Sequence, residues 1–100
     1  MEEYRVIISP AAQNDFHDVI EHLDTLTQEA ATQAFDLFME KTAVLSSNPE
    51  CCPLARDTQL RLRGYRLMSI ENYIVFYVIT GSVVEIRRIL YARRQYERLF

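Results

Sequence analysis

The sequence contains no tryptophan, two cysteines, two glycines and three prolines among its 100 residues. With only Gly64 and Gly81 available, a glycine-rich loop that cradles phosphate is excluded. Cys51 and Cys52 are adjacent, and adjacent side chains point apart in a strand or helix, so we expect both to be free thiols. No apolar run approaches the ~18 residues of a membrane span.

Histidine and cysteine are also too sparse for a metal site. His17 and His22 are five residues apart and miss the i, i+4 spacing of a helical metal pair. No Cys/His cluster has the spacing of a zinc site. The start of the chain is acidic and only briefly apolar, unlike a secretory signal. We therefore expect no metal, no cofactor, no membrane association and a reducing cytoplasmic location.

What the chain does contain is typical of a globular protein, with 49% hydrophobic and 25% charged residues. One hundred residues predict a single domain over 1–100. The net charge of −3 is unevenly divided: the first 50 residues carry 2 basic and 10 acidic side chains, and the last 50 carry 9 arginines and 4 acidic side chains. The halves therefore sum to −8 and +5. An all-arginine basic half indicates a surface that binds anions.

The first half predicts a strand and a helical hairpin. A strand over residues 4–8 precedes Ser9 and Pro10, which are favoured at the N-cap and first position of a helix. A second helix begins after the N-cap candidate Thr27, so the connection is short enough for an antiparallel pair. The apolar stripes of these two helices are Phe16, Val19, Ile20, Leu23 and Leu26, and Ala31, Ala34, Phe35, Phe38, Thr42 and Leu45.

The second half predicts three strands after a connecting loop at 49–58. They cover residues 60–70, with Gly64 as a possible bulge, then 73–79 and 83–90, and the tail forms a short helix or an extended arm. The order β-α-α-β-β-β predicts an α+β fold with the helical hairpin on one face of a small, mostly antiparallel sheet. The pattern leaves open where the first strand lies in the sheet.

The middle of these strands is apolar on both faces. Alternation places Tyr73, Val75, Tyr77 and Ile79 on one face, towards the helices, and Ile74, Phe76 and Val78 on the other. A two-layer fold has no second helical layer for that other face. Either the tail, through Tyr96, Leu99 and Phe100, or a binding partner covers it.

Arginines flank this apolar strip in the predicted sheet. They are Arg61, Arg63 and Arg66 on the first strand of the meander, Arg87 and Arg88 on the third, and Arg93, Arg94 and Arg98 in the tail, interleaved with Tyr65, Tyr91 and Tyr96. Guanidinium forks suit phosphate and carboxylate, and aromatic rings stack on bases. The sequence therefore predicts an anion-binding face. About half of these arginines are instead expected to pair with the acidic helices, a pairing that contributes little stability.

Three segments resemble the RelE/ParE toxins of bacterial type II toxin–antitoxin systems. They are S-P-x-A at Ser9 to Ala12, N-Y-I-V-F-Y at residues 72–77, and residues 86–99 with Arg93 and Arg94. The resemblance spans nearly the whole chain and matches the element order. It implies a toxin that inhibits growth and is neutralised by a cognate acidic antitoxin. The antitoxin would bind the face formed by Arg61, Ile74, Phe76, Val78, Arg88, Tyr91 and Arg94.

The first activity that the resemblance implies is a RelE-like nuclease that cleaves mRNA on the ribosome. Arg66 matches the family's first-strand arginine, and Tyr96 is similar in position to its C-terminal tyrosine. Arg66, Arg63 and Arg93 would stabilise the developing phosphorane charge, and Tyr96 would act as base if clustered arginines lowered its pKa. Ile74 and Gln95 depart from this pattern, because nuclease members often have arginine and histidine there.

The second implied activity is that of a ParE-like inhibitor of DNA gyrase, which binds its protein target and has no active site. The N-Y-I-V-F-Y strand looks more like that branch, and the acidic helices suit a protein target. A degenerate toxin that serves only as an antitoxin-binding partner is the third alternative. The sequence leaves the target and the oligomeric state open.

Overall fold

The computed structural model describes residues 3–92, which form a helical hairpin on a four-stranded sheet. The strands are β1 (Arg5–Ile8), β2 (Arg66–Ile70), β3 (Tyr73–Thr80) and β4 (Val83–Tyr91), and the helices are α1 (Pro10–Leu26), α2 (Gln28–Ala43) and α3 (Thr58–Leu62), with a 3₁₀ turn at Val44–Ser46. The predicted α+β fold, with its order of long elements, is confirmed. None of the helices within residues 3–92 has the length and apolar character needed to cross a membrane.

Side-chain caps set the limits of the hairpin, as the sequence predicts. The Ser9 hydroxyl accepts a hydrogen bond from the Ala12 N–H at 3.2 Å and donates one to the Arg87 carbonyl at 3.0 Å, which joins the start of α1 to β4. Thr27 ends α1 and begins α2, where its hydroxyl accepts from the Ala30 N–H at 2.9 Å. Thr27 is thus the single extended residue between the two helices, which pack against each other through Phe16 and Phe35.

The sheet has the strand order β1-β4-β3-β2, and only β1 is parallel to its neighbour. The chain between β1 and β4, which includes the helical hairpin, β2 and β3, provides the long connection that a parallel pair requires. β2, β3 and β4 form an antiparallel meander, and a register shift lies between Phe76 and Tyr77. Phe76 pairs with Arg88 and Tyr77 with Ile86, so Arg87 is the extra residue of a bulge in β4. The position of β1, which the sequence left open, is the edge beside β4.

The main core lies between the sheet and the helical hairpin. Val75 and Tyr77 of β3, Val84 and Ile86 of β4, and Phe38 of α2 are all at most 3% exposed. Phe16 of α1 packs on Phe38 with ring centroids 5.0 Å apart. The face of β3 that was predicted to contact the helices, from Tyr73 to Ile79, does so.

A second core covers the opposite face of β3, and the connection between α2 and β2 supplies part of it. Phe76 is fully buried and Val78 is 5% exposed, and both belong to a cluster with Leu60 and Tyr65. These covering residues come from α3 and the chain on either side of it, with Ile74 at the margin of the cluster. The connection between α2 and β2 crosses to this face and covers part of the strip, which the sequence did not predict, while the tail that was expected to cover it lies outside the described residues.

The predicted strand over residues 60–70 was also wrong in its first half. Residues 58–62 form α3, whose N-cap Asp57 accepts from the Leu60 N–H at 3.0 Å. Gly64 has a φ of 82° and is not a bulge. Its N–H donates to the Arg61 carbonyl at 2.9 Å and the Tyr65 N–H donates to the Leu60 carbonyl at 3.0 Å, the two bonds of a Schellman ending. The strand begins only after this ending, at Arg66.

Candidate functional site

Arg66 is held on the helical side of the sheet. It pairs in register with Tyr77, and paired residues of antiparallel strands share a face. Its Nη1 donates to the Cys52 carbonyl at 2.7 Å, and its Nη2 lies 3.6 Å from the Glu50 carboxylate. The side chain is 19% exposed. The expected convergence of Arg66 with Ile74, Phe76 and Val78 was therefore wrong, because Arg66 points to the other face.

Tyr77 anchors the same loop one strand away. Its hydroxyl donates to the carbonyl of Pro49 at 2.7 Å, and both residues are buried. Burial, followed by the proximity of Cys52, raises the pKa of the Tyr77 phenol, so the hydroxyl stays protonated and remains a donor. Tyr77 and Arg66 together fix residues 49–52 against the main core.

Arg61 and Arg63 are exposed on the outer surface of the segment that covers the second core. Arg61 lies in α3 and Arg63 is its C-cap residue, while Leu60 between the helix and the sheet is 2% exposed. The arginines of this segment therefore lie outside the apolar strip, with α3 between them and the sheet. Their position corrects the prediction that they project from a strand.

Arg87 is the strand arginine that faces this side. Its guanidinium carbon lies 5.7 Å from the centre of the Tyr65 ring, and its Nη1 donates to the Tyr65 hydroxyl at 3.4 Å. Its Nε donates to Glu85 at 2.6 Å. The hydrogen bond with Tyr65 and, to a lesser extent, the one with Glu85 raise the pKa of the Arg87 guanidinium above its ordinary value. We define the basic face as Arg56, Arg61, Arg63 and Arg87, all exposed.

Arg88, which was predicted for the same face, binds helix α1 with its guanidinium. Its Nε and Nη2 donate to the two carboxylate oxygens of Asp15 at 2.7 and 3.0 Å. The side chains of Arg88 and Asp15 are 24% and 14% exposed. Arg88 pairs in register with Phe76, so it starts from the face of Phe76 and its side chain reaches Asp15 at the edge of β4. Alternation alone would place these two neighbouring arginines on opposite faces, and the bulge at Arg87 breaks that alternation.

Tyr91 lies where β4 ends, at a groove between the strand and α1. Its ring meets that of Tyr73 edge to face with centroids 5.6 Å apart. The groove has a volume of about 490 Å³. Its lining is Asp15, Asp18, Val19, His22, Tyr73, Ile89, Leu90 and Tyr91. Sequence reasoning selected Tyr91 but not its neighbours, because α1 supplies half of the groove across a long sequence separation.

The remaining predicted site residues, Arg93, Arg94 and Tyr96, lie outside the described residues, as does Gln95. Within residues 3–92 the basic face carries arginine and tyrosine, while both histidines lie on α1 in the other layer. Guanidinium groups bind carboxylates and phosphates through paired hydrogen bonds, but they do not accept protons at neutral pH. The described part of this surface is therefore suited to binding an anionic partner.

The comparisons with known proteins agree with the fold. A comparison with curated protein sequences finds no significant match. A solved structure titled "Chromosomal ParDE TA system from P. aeruginosa" is similar, with a TM-score of 0.76 and 18% identity. The match covers 91% of this chain and 98% of that chain, and at this identity it supports the fold alone. The family model described as "ParE toxin of type II toxin-antitoxin system, parDE" matches residues 6–96. This chain is therefore a member of the ParE toxin family of type II toxin–antitoxin systems.

Proposed function

We propose that this toxin inhibits growth by binding a protein target, DNA gyrase, rather than by cleaving mRNA on the ribosome. The observation that carries this proposal is the engagement of Arg66. In the nuclease hypothesis, Arg66 contacts the scissile phosphate. In the fold, its guanidinium donates to the Cys52 carbonyl at 2.7 Å and lies 3.6 Å from Glu50, on the helical face of the sheet.

Freeing Arg66 for RNA would be costly. The hydrogen bond between Arg66 and the Cys52 carbonyl is part-buried, and the buried Tyr77–Pro49 anchor holds the same loop in place, so this carbonyl would lose its donor. A buried acceptor left without a partner costs about 1–3 kcal/mol. A nuclease site would need that rearrangement before Arg66 could bind a phosphate, whereas a binding inhibitor needs none.

We also propose that a cognate acidic antitoxin binds the basic face. Arg61 and Arg63 are exposed there, and the exposed Arg87 lies beside the buried ring of Tyr65. The helical hairpin on the other side carries seven acidic residues against Lys41 alone. An acidic segment is therefore attracted to one side of the molecule and repelled from the other.

Induced expression in a bacterial host tests the choice between the two targets. The proposal predicts an SOS-type DNA-damage response while amino-acid incorporation continues at first. The nuclease hypothesis predicts an immediate arrest of incorporation without DNA damage.

Two variants and a control make this test specific to the catalytic hypothesis. Tyr96→Phe and Arg93→Gln remove the predicted base and a predicted cation, and Lys41→Gln changes an exposed charge on the helical hairpin. The proposal predicts that all three keep the DNA-damage response. Loss of growth inhibition in Tyr96→Phe and Arg93→Gln, with Lys41→Gln still toxic, would contradict it. Growth unaffected by the unaltered chain would indicate the degenerate toxin.

A further inference from the structure

The sulfur atoms of Cys51 and Cys52 face each other in the loop before α3. Their Sγ atoms are 3.5 Å apart, although adjacent side chains in a strand or helix point in different directions. Both cysteines are free thiols, as expected, but their side chains do not point apart, because residues 48–51 form a tight turn in which the Cys51 N–H donates to the Asn48 carbonyl at 3.1 Å. We propose that Cys51 and Cys52 are a site of reversible oxidation to an intramolecular disulfide by a low-molecular-weight disulfide such as oxidised glutathione.

The two thiols differ in exposure, and this assigns their order of reaction. Cys51 is exposed, whereas Cys52 is partly buried against the main core. Burial, followed by its hydrogen bond with Cys51, raises the pKa of the Cys52 thiol. Since the thiolate is the nucleophile in exchange, Cys51 reacts first and Cys52 second.

The exchange balances in two steps. The Cys51 thiolate attacks one sulfur of oxidised glutathione, which forms a mixed disulfide and releases one glutathione thiolate. The Cys52 thiolate then attacks the Cys51 sulfur, which forms the Cys51–Cys52 bond and releases the second glutathione. The two cysteines lose two electrons and two protons, and oxidised glutathione is reduced to two glutathione molecules. For the second step the sulfurs must approach by roughly 1.5 Å to reach bonding distance.

The product is strained and therefore easily reduced. Adjacent Cα atoms are about 3.8 Å apart, which is shorter than the ~4.4–6.8 Å that ordinary disulfides span. Strained and exposed disulfides have more oxidising potentials than structural ones and form only when the small-molecule thiol pool is itself oxidised. The pair is thus suited to a reversible modification and not to a permanent cross-link.

The modified turn lies where the chain passes from one side of the sheet to the other. The Cys52 carbonyl accepts a hydrogen bond from Arg66 at 2.7 Å. The Pro53 carbonyl accepts one from the Leu67 N–H at 3.2 Å, and the Ala55 N–H donates one to the Tyr65 carbonyl at 2.9 Å. Cys52 contacts the main core and Ala55 the second core. A ring closed at Cys51 and Cys52 changes the backbone next to these bonds, so oxidation loosens residues 53–57.

The test treats the full chain with oxidised glutathione, blocks free thiols by alkylation and measures intact mass. We expect a product lighter by two hydrogen atoms, with both cysteines in one disulfide-linked peptide and full reversal by dithiothreitol. Cys52→Ser should stop as a stable mixed disulfide at Cys51, and Cys51→Ser should react several-fold more slowly. Circular dichroism confirms that both variants fold. A stable mixed disulfide on the unaltered chain, or disulfide-linked dimers, would overturn the proposal.

The coupling to the segment has its own readout. Arg56 is exposed, so trypsin cleavage after it reports the mobility of residues 53–57. We expect the oxidised chain to be cleaved there several-fold faster than the reduced chain. An unchanged rate after complete oxidation would overturn the coupling. Both measurements are independent of the toxin's target, so their failure would leave the proposed function untouched.

Discussion

The carboxylate of Asp15 forms a bidentate ion pair with Arg88 and also accepts a hydrogen bond from the backbone edge of β4. It accepts from Nε and Nη2 of Arg88 at 2.7 and 3.0 Å, and from the backbone N–H of Ile89 at 3.0 Å. Strand β1 ends at Ile8, opposite Ile86, so no strand within residues 3–92 lies beside the edge of β4 beyond that point. A helix side chain takes the place of the missing strand there and holds α1 against the sheet.

Asp15→Asn should lower the free energy of unfolding by about 1–3 kcal/mol, because Arg88 loses its charged acceptor in a poorly exposed position. Urea denaturation measures this change. The control is Glu21→Gln, which alters the exposed pair of His17 and Glu21 at 2.9 Å and should cost no more than about 0.5 kcal/mol. Equal effects of the two variants would show that the bidentate ion pair of Asp15 has no special structural role.

Tyr77→Phe should destabilise the protein by about 1–3 kcal/mol, because the buried Pro49 carbonyl loses its donor. The phenyl ring keeps its packing, so the loss isolates the hydrogen bond. Tyr91→Phe is the control, since Tyr91 is 37% exposed at the end of β4. Thermal unfolding of the two variants compares them, and a cost for Tyr91→Phe as large as that for Tyr77→Phe would argue against the loop anchor.

Stability should also fall at alkaline pH through Tyr77. Burial raises the pKa of its phenol in the folded state above the ordinary value of about 10, so its contribution is fully present below pH 10. Above that pH the unfolded chain releases the proton first, and the stabilisation is lost as pH rises towards the folded pKa. Tyr73, whose pKa is raised by burial and then by Tyr91, contributes in the same direction. Urea midpoints between about pH 8 and 11 should fall less steeply in Tyr77→Phe than in the unaltered chain.

Two turn positions with positive φ should respond in opposite directions to substitution. Gly64 has a φ of 82° and its Cβ position is open, so Gly64→Ala should cost about 1 kcal/mol by backbone strain alone. Glu71 has a φ of 54° in the turn between β2 and β3, and Glu71→Gly should be stabilising by a similar amount. Denaturant midpoints measure both. Destabilisation by Glu71→Gly would mean that the glutamate side chain stabilises the turn.

The basic face should determine the salt dependence of antitoxin binding. Arg61→Gln combined with Arg87→Gln should weaken binding of a co-expressed antitoxin about tenfold or more at low salt, chiefly through slower association. The difference should shrink as ionic strength rises. Lys41→Gln on α2 is the matched loss of one exposed charge. A loss for Lys41→Gln equal to that of the double variant would place the antitoxin on the helical hairpin instead.

The long elements could be predicted from the sequence because local chemistry determines them. Ser9, Pro10 and Thr27 act at the helix ends where the pattern places them, and the alternation in β3 assigns its helical face correctly. Helix α3 could not be separated from a strand by periodicity, because Leu60-Arg61-Leu62-Arg63 alternates apolar and basic residues. The decisive local signals were Asp57 at the N-cap and Gly64 after the C-cap.

The candidate site was harder to predict, because its geometry depends on contacts across the chain. The bulge at Arg87 breaks the alternation in β4, and contacts with Tyr65 and Asp15 direct the two adjacent arginines to different neighbours. The crossing of residues 49–65 to the second core decides that Arg61 lies outside the apolar strip. Neither of these placements can be derived from the spacing of residues in the sequence. The total charge was less informative than the layer in which each arginine lies.

The central claim, that the toxin acts by binding and not by nuclease chemistry, is tested most directly with purified components. The purified chain is added in parallel to DNA gyrase with plasmid and to translating ribosomes with a defined mRNA. We predict inhibited supercoiling or trapped plasmid cleavage by gyrase, and intact mRNA on the ribosomes. Cleavage of the ribosome-bound mRNA, with gyrase activity unchanged, would contradict the claim.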